Sequence, residues 1–314
     1  MDALTDVIQL LRPKTVLLGS MVARGQWGVR LPAQQGLLFY FVTEGACWFR
    51  SGSLDAIRLS AGDYILSSKP ITDAFLSEPT AATVLSDAAF KARHTVDGEI
   101  VVGTEDGASA ATRILGGSIL CDPANAELLI DLLPQFVHVS AAEGRSARLR
   151  TLIAIICEEA KEAGPGTDLI VSRMIEVLLV ETLRREAASL PNAGMLRGLA
   201  DPQLARALTD IHADVCRGWT IGELAHRSGM SRSAFARRFC DALGLAPVEY
   251  LLRWRMALAK DALRHGKGTL DQIAESIGYR SASAFSTAFT QKIGCPPSEY
   301  ARMAGDAKSG LVMN

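Results

Sequence analysis

Apolar and polar positions change rhythm several times along this 314-residue chain. The opening stretch, MDALTDVIQLLRPK, is amphipathic and predicts a helix over the first dozen residues, followed by a short edge strand to about Leu18. From there to about Val139 the pattern becomes short apolar runs parted by turn residues. GLLFYFVTEGACWFRSG places two runs around Glu44-Gly45, and AIRLSAGDYILSS repeats the device around Ala61-Gly62-Asp63. EIVVG and TRILGGSIL add further runs. Many short strands with such turns predict a small antiparallel barrel or sandwich. From Gly144 to Ala188 the period is helical again. RSARLRTLIAIICEEAKEA sets Leu149, Leu152, Ile153 and Ile156 on one stripe. After Gly164-Pro165-Gly166, the next stretch sets Ile170, Met174, Val177 and Leu178 on one face, with Val171, Ile175, Leu179 and Leu183 beside it. Two antiparallel helices are expected. One face covers the sheet, and the surplus face either meets a second subunit or is spent within the hairpin. Ser189 to Gly198 then reads as a linker.

The remaining third contains a stretch that occurs twice, TIGELAHRSGMSRSAFARRF from Thr220 to Phe239 and TLDQIAESIGYRSASAFSTAF from Thr269 to Phe289. Thr220 and Thr269 are helix-capping residues, and Glu223 and Gln272 follow three later, so each copy opens as a capping box. Ile221, Leu224 and Ala225, and in the second copy Leu270, Ile273 and Ala274, carry the helical apolar spacing. Gly229 and Gly278 can stop that helix with positive φ. Ser231, and Ser281 or Ser283, can cap a new helix. Phe235 and Phe239, then Phe285 and Phe289, form its buried face. Each copy is a helix, a tight turn and a second helix, the arrangement whose second helix enters a DNA major groove. Between the copies, Ala246 to Gly266 predicts a continuous helix with apolar Tyr250, Leu251, Trp254, Leu258 and Leu263. About 20 residues at 1.5 Å each give a rod of roughly 30 Å, close to the ~34 Å of one B-DNA turn.

With these residues in view, positions 201–304 resemble the DNA-binding domain of the AraC/XylS family of bacterial transcription regulators. The resemblance is carried by Ala225, Gly229, Ser231, Phe235, Arg237 and Phe239 in the first copy, and by Gly244, Pro247, Tyr250, Arg255, Ala259 and Leu263 along the rod. Ile273, Ala274, Gly278, Tyr279, Phe285, Phe289, Gly294, Pro297 and Tyr300 complete it. Ahead of it, Ala23 to Pro32, the Leu59-Ser60-Ala61-Gly62-Asp63 turn and Leu132 to Val139 are similar to the cupin-type sensor barrel that precedes this domain in many members. The resemblance implies an α+β chain. Residues 1–190 would be a cupin-like antiparallel β-barrel with a two-helix dimerisation hairpin, 191–200 a linker, and 201–305 an all-α domain of two helix-turn-helix units joined by a long helix.

Charge supports that division. The net charge is −1, yet residues from 195 onward hold 16 Lys and Arg against 11 Asp and Glu, or +5, and the remainder holds 17 against 23, or −6. Phosphate is therefore met by the C-terminal part. No signal peptide or membrane span is read at the N-terminus, and a cytoplasmic location is expected. Six cysteines show no C-x-x-C spacing and read as reduced thiols. Cys47 and Cys121 are the two for which a redox-sensing role is conceivable.

Where a metal-binding cupin places His-x-His, this chain has Tyr40-Phe41-Val42. After the Gly62-Asp63 turn it has Lys69 to Asp73 without histidine. No metal spacing is present and no cofactor is expected. His138, in an apolar run, reads as a satisfied core histidine. The barrel can still hold a pocket, for which Trp27, Arg30, Tyr40, Trp48, Arg50, Tyr64 and Asp73 are candidate lining residues. Each has an ordinary alternative, core packing for the aromatics and solvation for the charges.

On the DNA side the candidates are Ser231, Arg232, Ser233, Arg237 and Arg238 in the first recognition helix. In the second they are Arg280, Ser281, Ser283, Ser286 and Thr287. Arg237 either reads DNA or pairs with an acid of its own domain. Members of the resembling family often carry basic residues where this chain has Thr287 and Thr290, which implies a weaker second helix. The expected function is a sequence-specific, effector-responsive transcription regulator and not an enzyme. Its implied partners are promoter DNA, RNA polymerase, an unidentified small molecule and a second copy of the chain, with no membrane. The alternative is a cupin-type enzyme fused to a DNA-binding domain, against which the missing histidines count.

Overall fold

The computed structural model describes residues 2–32, 36–68, 73–104, 110–122, 125, 136–141, 147–162, 164–186 and 194–311. The chain is mixed α+β and divides into two compact units. One gathers the described residues of Pro13–Cys121 and Leu133–Glu186, and the other those of Met1–Arg12, Asp122–Leu132 and Ala187–Asn314. Residues 69–72, 132–135 and 189–193, used above for the barrel and linker readings, lie outside the described residues.

The first unit is built on two sheets. Its strands are β1 (Lys14–Arg24), β2 (Gly28–Arg30), β3 (Leu37–Glu44), β4 (Ala46–Ser51), β5 (Ile57–Ser60) and β6 (Tyr64–Ser67). They continue as β7 (Asp73–Leu76), β8 (Val84–Leu85), β9 (Thr95–Val96), β10 (Glu99–Gly103), β11 (Thr112–Leu120) and β12 (Phe136–Val139). The larger sheet runs β12-β6-β3-β11-β1-β10-β9 and the smaller β5-β4-β7-β2-β8. The turns at Gly45 and Gly62 join strands of different sheets, so each is a corner and not a hairpin. Met21, Leu38, Tyr40, Val42, Ile65 and Ile114 from the larger sheet meet Val29, Cys47, Phe49, Leu59 and Phe75 from the smaller in one core.

Two expectations are corrected here. The strand expected to end near Leu18 at a sheet edge runs eleven residues through the interior of the larger sheet, between β11 and β10. Gly19, at φ +117°, absorbs a register shift against β11 and the strand continues. The sheets are also not wholly antiparallel, because β1 pairs parallel with β10 and β2 with β8. Parallel partners need a crossover, and the chain between β1 and β10 supplies it by passing through the smaller sheet and a short helix, α2 (Ala88–His94).

Strand β3 is buried on both faces from Leu37 to Val42 because helices cover its outer side. These are α3 (Ala147–Glu162) and α4 (Thr167–Glu186), packed on each other, with α4 against β1 and α3 against β3. Ile155, Leu169, Ile170 and Val177 remain exposed on this pair. His138 is satisfied as expected: its Nε2 lies 3.1 Å from Asp63 Oδ2. The other oxygen of Asp63 accepts the Ala141 amide at 2.8 Å.

The second unit is helical. It holds α1 (Ala3–Leu11), α5 (Met195–Ala200), α6 (Pro202–Ala213), α7 (Ile221–Arg227), α8 (Arg232–Leu243) and α9 (Pro247–His265). Helices α10 (Leu270–Ser276), α11 (Ala282–Ile293) and α12 (Pro297–Leu311) complete it. Gly194 donates its amide to Ala242 O at 2.6 Å. The first helix joins this unit through His212, whose side chain is buried. Its Nδ1 donates to Asp6 at 3.2 Å, its Nε2 accepts the Tyr250 hydroxyl at 2.7 Å, and its ring stacks on Trp254 at 4.2 Å. Asp122, Asp261 and His265 bring ligand atoms within 4.8 Å of one another. Cations already meet those carboxylates: Arg12 at 3.2 Å and Lys267 at 2.8 Å from Asp261, and Arg264 at 3.5 Å from Asp122. The group is an ion-pair cluster in which both carboxylates already meet cations. Among the described residues no helix is long and apolar enough to cross a membrane.

Burial moves the His212 imidazole down to about 4 despite the opposing pull of Asp6. Between its ordinary 6.5 and about 4, the unfolded chain binds the proton that the folded chain refuses. Stability contributed here is whole above about pH 6.5 and is lost as pH falls toward 4. Thermal melts of the full chain across this window should show a falling midpoint, and His212→Gln should flatten the slope.

Candidate nucleic-acid interface

Both helix-turn-helix units form from local chemistry. In the first, Thr220 Oγ1 accepts the Glu223 amide at 3.2 Å and Glu223 Oε2 accepts the Thr220 amide at 3.0 Å. In the second, Thr269 and Gln272 repeat the exchange at 3.3 and 2.8 Å. These reciprocal bonds satisfy amides that a helix start leaves orphaned. The turns close alike, Met230 N on Ala225 O and Tyr279 N on Ala274 O, both at 2.9 Å. Ser231 and Ser281 cap the recognition helices α8 and α11 by accepting the Ala234 and Ala284 amides. Phe235, Phe239, Phe285 and Phe289 are fully buried.

The buried phenylalanines set the outward faces. At 100° per residue, the side opposite Phe235 and Phe239 carries Ser233 and Arg237. The same phase in α11 carries Ser283 and Thr287. All four are exposed. The two faces differ in chemistry. Arg237 offers a guanidinium fork, whereas Thr287 turns its hydroxyl back to Ser283 O at 3.1 Å. Thr290 does the same toward Ser286 O at 2.8 Å.

The other candidates divide by what they already hold. Ser231 and Ser281 are used as caps. Arg238 is fixed within the unit, its Nε 2.5 Å from Asp201 and its Nη1 2.9 Å from Gln203. The arginine of α8 that pairs with an acid of its own domain is Arg238, with Asp201. Arg232 folds over Gly222, where an added Cβ would lie 2.7 Å from its Nε. Arg280 is exposed and Ser286 half-buried.

The two units are locked to each other by contacts that the sequence pattern alone did not reveal. Arg255 on α9 donates to three successive carbonyls of the loop before α7, Val215 at 2.8 Å, Cys216 at 3.3 Å and Arg217 at 3.0 Å. Cys216 Sγ donates to Ser276 O at 3.0 Å, the end of α10. Gly278, at φ +81°, sits so close that a Cβ would meet Cys216 O at 2.4 Å. The turn of the second unit is thus pressed against the entrance of the first, with α9 behind both.

In the sheet-rich unit the seven pocket candidates separate by strand phase. Tyr40 and Asp73 face the core between the sheets, and Trp27 packs into it. Asp73 accepts from Ser51 Oγ at 2.7 Å and from the Tyr40 hydroxyl at 3.4 Å. Burial raises the Asp73 carboxyl, opposed by hydrogen bonds from Ser51, Ser67 and Tyr40. Burial, reinforced by Asp73, raises the Tyr40 hydroxyl well above its ordinary value. Tyr64 is a correction: its register partner is Phe41, not Tyr40, so it lies on the outer face, stacked on Phe41 at 5.1 Å. Trp48, Arg50 and Arg30 are corrections of the same kind. Cys47, Phe49 and Ser51 take the inward positions of β4, and Arg50 and Arg30 both pair with Ala74 on the other face. Burial also pushes the Cys47 thiol up to about 12, the reverse of what a redox sensor needs.

Comparison with known proteins points the same way. The cupin family model matches residues 2–188 and a helix-turn-helix domain model residues 224–303. The chain is 37% identical over 309 residues to a putative AraC-like transcription regulator of Streptomyces lividans, covering 96% of this chain and 98% of that one. It is 27% identical over 305 residues to the HTH-type transcriptional regulator AlkR of Acinetobacter baylyi, covering 96% and 99%. A solved DNA-binding domain of AdpA, described as a global transcriptional factor in complex with a target DNA, is 29% identical. That match covers 33% of this chain and 92% of the other, with a TM-score of 0.31.

Two outcomes are expected of variants at this surface. Arg237→Ala should weaken DNA binding by about 1–3 kcal/mol and reduce the salt slope by about one, with Thr287→Ala costing less; equilibrium titrations at several salt concentrations measure both. Gly278→Ala should destabilise the fold by about 1–3 kcal/mol, read from urea denaturation, because positive φ and the Cys216 carbonyl both oppose a Cβ.

Proposed function

Because this chain belongs to the AraC-like transcription regulators and carries a cupin domain ahead of its helix-turn-helix units, we propose that it reads promoter DNA with α8 and α11 in successive major grooves and answers to a signal taken up by the sheet-rich unit. The observation that carries the DNA part is the twin frame. Two capping boxes, two closed turns and two buried Phe pairs hold Ser233 and Arg237, and Ser283 and Thr287, at matching positions. In this reading Arg237 supplies the charged base-edge contact, Ser233 and Ser283 approach bases near the helix starts, and Arg232 and Arg280 meet phosphate. Ser231, Ser281 and Arg238 act through positioning.

The two sheets form the sensor barrel, and the buried Asp73, Tyr40 and Ser51 group is its polar handle. A small-molecule effector that displaces Tyr40 or Ser51 would change the packing between the sheets. The exposed apolar residues of α3 and α4 form the contact with a second copy, giving a homodimer that acts on RNA polymerase in the cytoplasm. Residues 1–190 then constitute the sensing part and 201–305 the reader.

Selection of genomic fragments by the full-length protein, followed by footprinting, tests the reading. The expected result is a defined site with two major-groove contact patches about one helical turn apart per protomer, and a shift in affinity with a metabolite that also raises the thermal midpoint. Binding indifferent to sequence at physiological salt would refute it.

A further inference from the structure

The outward face of α11 begins with side chains that cannot read a base through paired hydrogen bonds. In the first two turns it carries Ser283, Ala284 and Thr287, all exposed. Bidentate readout of guanine needs Arg or Lys, and of adenine Asn or Gln. Arg280 stands ahead of the cap at Ser281, outside the helix. Gln291 shares the outward phase but lies near the helix end, about 12 Å along the axis from Ser283. The residues of such a helix that meet base edges are those at its start. In α8 the residue matching Gln291 is Asp241, an acid, in keeping with a turn that stands off the DNA. Thr287 is constrained further. Its hydroxyl donates to Ser283 O at 3.1 Å, so its proton is spent within the helix. That proton is then not given to guanine N7 or O6, or to thymine O4. What remains is a lone pair on the oxygen and the Cγ2 methyl, the substituent of Cβ not tied to the backbone. Ala284, three residues earlier, sets a second methyl on the same side. One kind of base pair answers to both features. An A·T pair offers the thymine C5-methyl and the adenine amino donor, whereas a G·C pair offers an amino donor and no methyl.

We propose that Thr287, with Ala284 beside it, makes α11 a reader of thymine: their methyls close on thymine C5-methyl groups, and A·T pairs define the second contact patch of the DNA site. This rests on α11 lying in a major groove, as proposed above, and adds the identity of what it reads there. The two halves of the site then differ in kind, hydrogen bonds from Arg237 in the first and apolar contact in the second. Apolar contact neutralises no phosphate, so the α11 half adds discrimination without adding to the salt slope.

The test uses the full-length chain and the duplex obtained by genomic selection and footprinting. Arg237→Ala assigns the patches, because it weakens protection under α8 and spares that under α11. Thymines are then replaced by deoxyuridine one at a time, which removes only the 5-methyl group. In the α11 patch at least one replacement should weaken binding about fourfold, the worth of one buried methylene, with the salt slope unchanged. Thr287→Ser keeps the hydroxyl and loses the methyl. It should bind the thymine duplex about fourfold more weakly and no longer distinguish it from the deoxyuridine duplex. Thr287→Val keeps a methyl, gives up the hydroxyl and should retain the distinction. Protection of the α8 patch by both variants shows that each is folded and docked. Three results would overturn the proposal and leave the major-groove reading standing: an α11 patch without thymine, equal affinity for thymine and deoxyuridine there, or a Thr287→Ser chain that still discriminates. A site with a single patch, or with none, overturns both.

Discussion

The reader depends on one guanidinium. Arg255 leaves α9 and donates to the carbonyls of Val215, Cys216 and Arg217, in the loop before α7. Val215 is half-buried and Cys216 and Arg217 are exposed, so these bonds contribute mainly by fixing the loop's path. With them bonded, the loop becomes a fixed surface against which Gly278 closes to van der Waals range. The Arg255 junction, the Cys216 Sγ bond to Ser276 O and the continuous helix α9 together join the two helix-turn-helix units.

The sheet-rich unit is held by a different logic. Its two sheets share an apolar core, and the corners at Gly45 and Gly62 carry the chain from one sheet to the other. Inside that core the Asp73 carboxyl accepts from the hydroxyls of Ser51 and Tyr40. A group so placed is costly to bury unless its bonds are retained.

The helical half was legible in the sequence because its signals are local. A threonine three residues ahead of Glu223 or Gln272, a glycine at Gly229 or Gly278 and a Phe pair four apart each act within one or two turns of chain. The sheet half was legible in kind but not in facing. Tyr64, Trp48, Arg50 and Arg30 stood among the candidate pocket residues with core packing or solvation as alternatives, and the structure sets all four on the faces away from the inter-sheet core, because a strand's phase is set by a partner far away in sequence. The reach of β1 was missed for the same reason: Gly19 looks like a terminator until β11 is beside it to accept the bulge. Arg255 was singled out only as part of the resemblance and His212 not at all, and neither one's partners were legible, since these lie about 40 and about 200 residues away.

The unlike faces of α8 and α11 have a consequence for address. Two identical readers on one rod would fit a direct repeat equally well after sliding by one repeat, and would leave the start of the site undefined. Here one copy presents Arg237 and the other a threonine that has turned its hydroxyl inward. The duplicated frame keeps the spacing, and the broken likeness gives the bound protomer a head and a tail. A stretch of DNA can then specify not only where the protein sits but which way it points along the double helix.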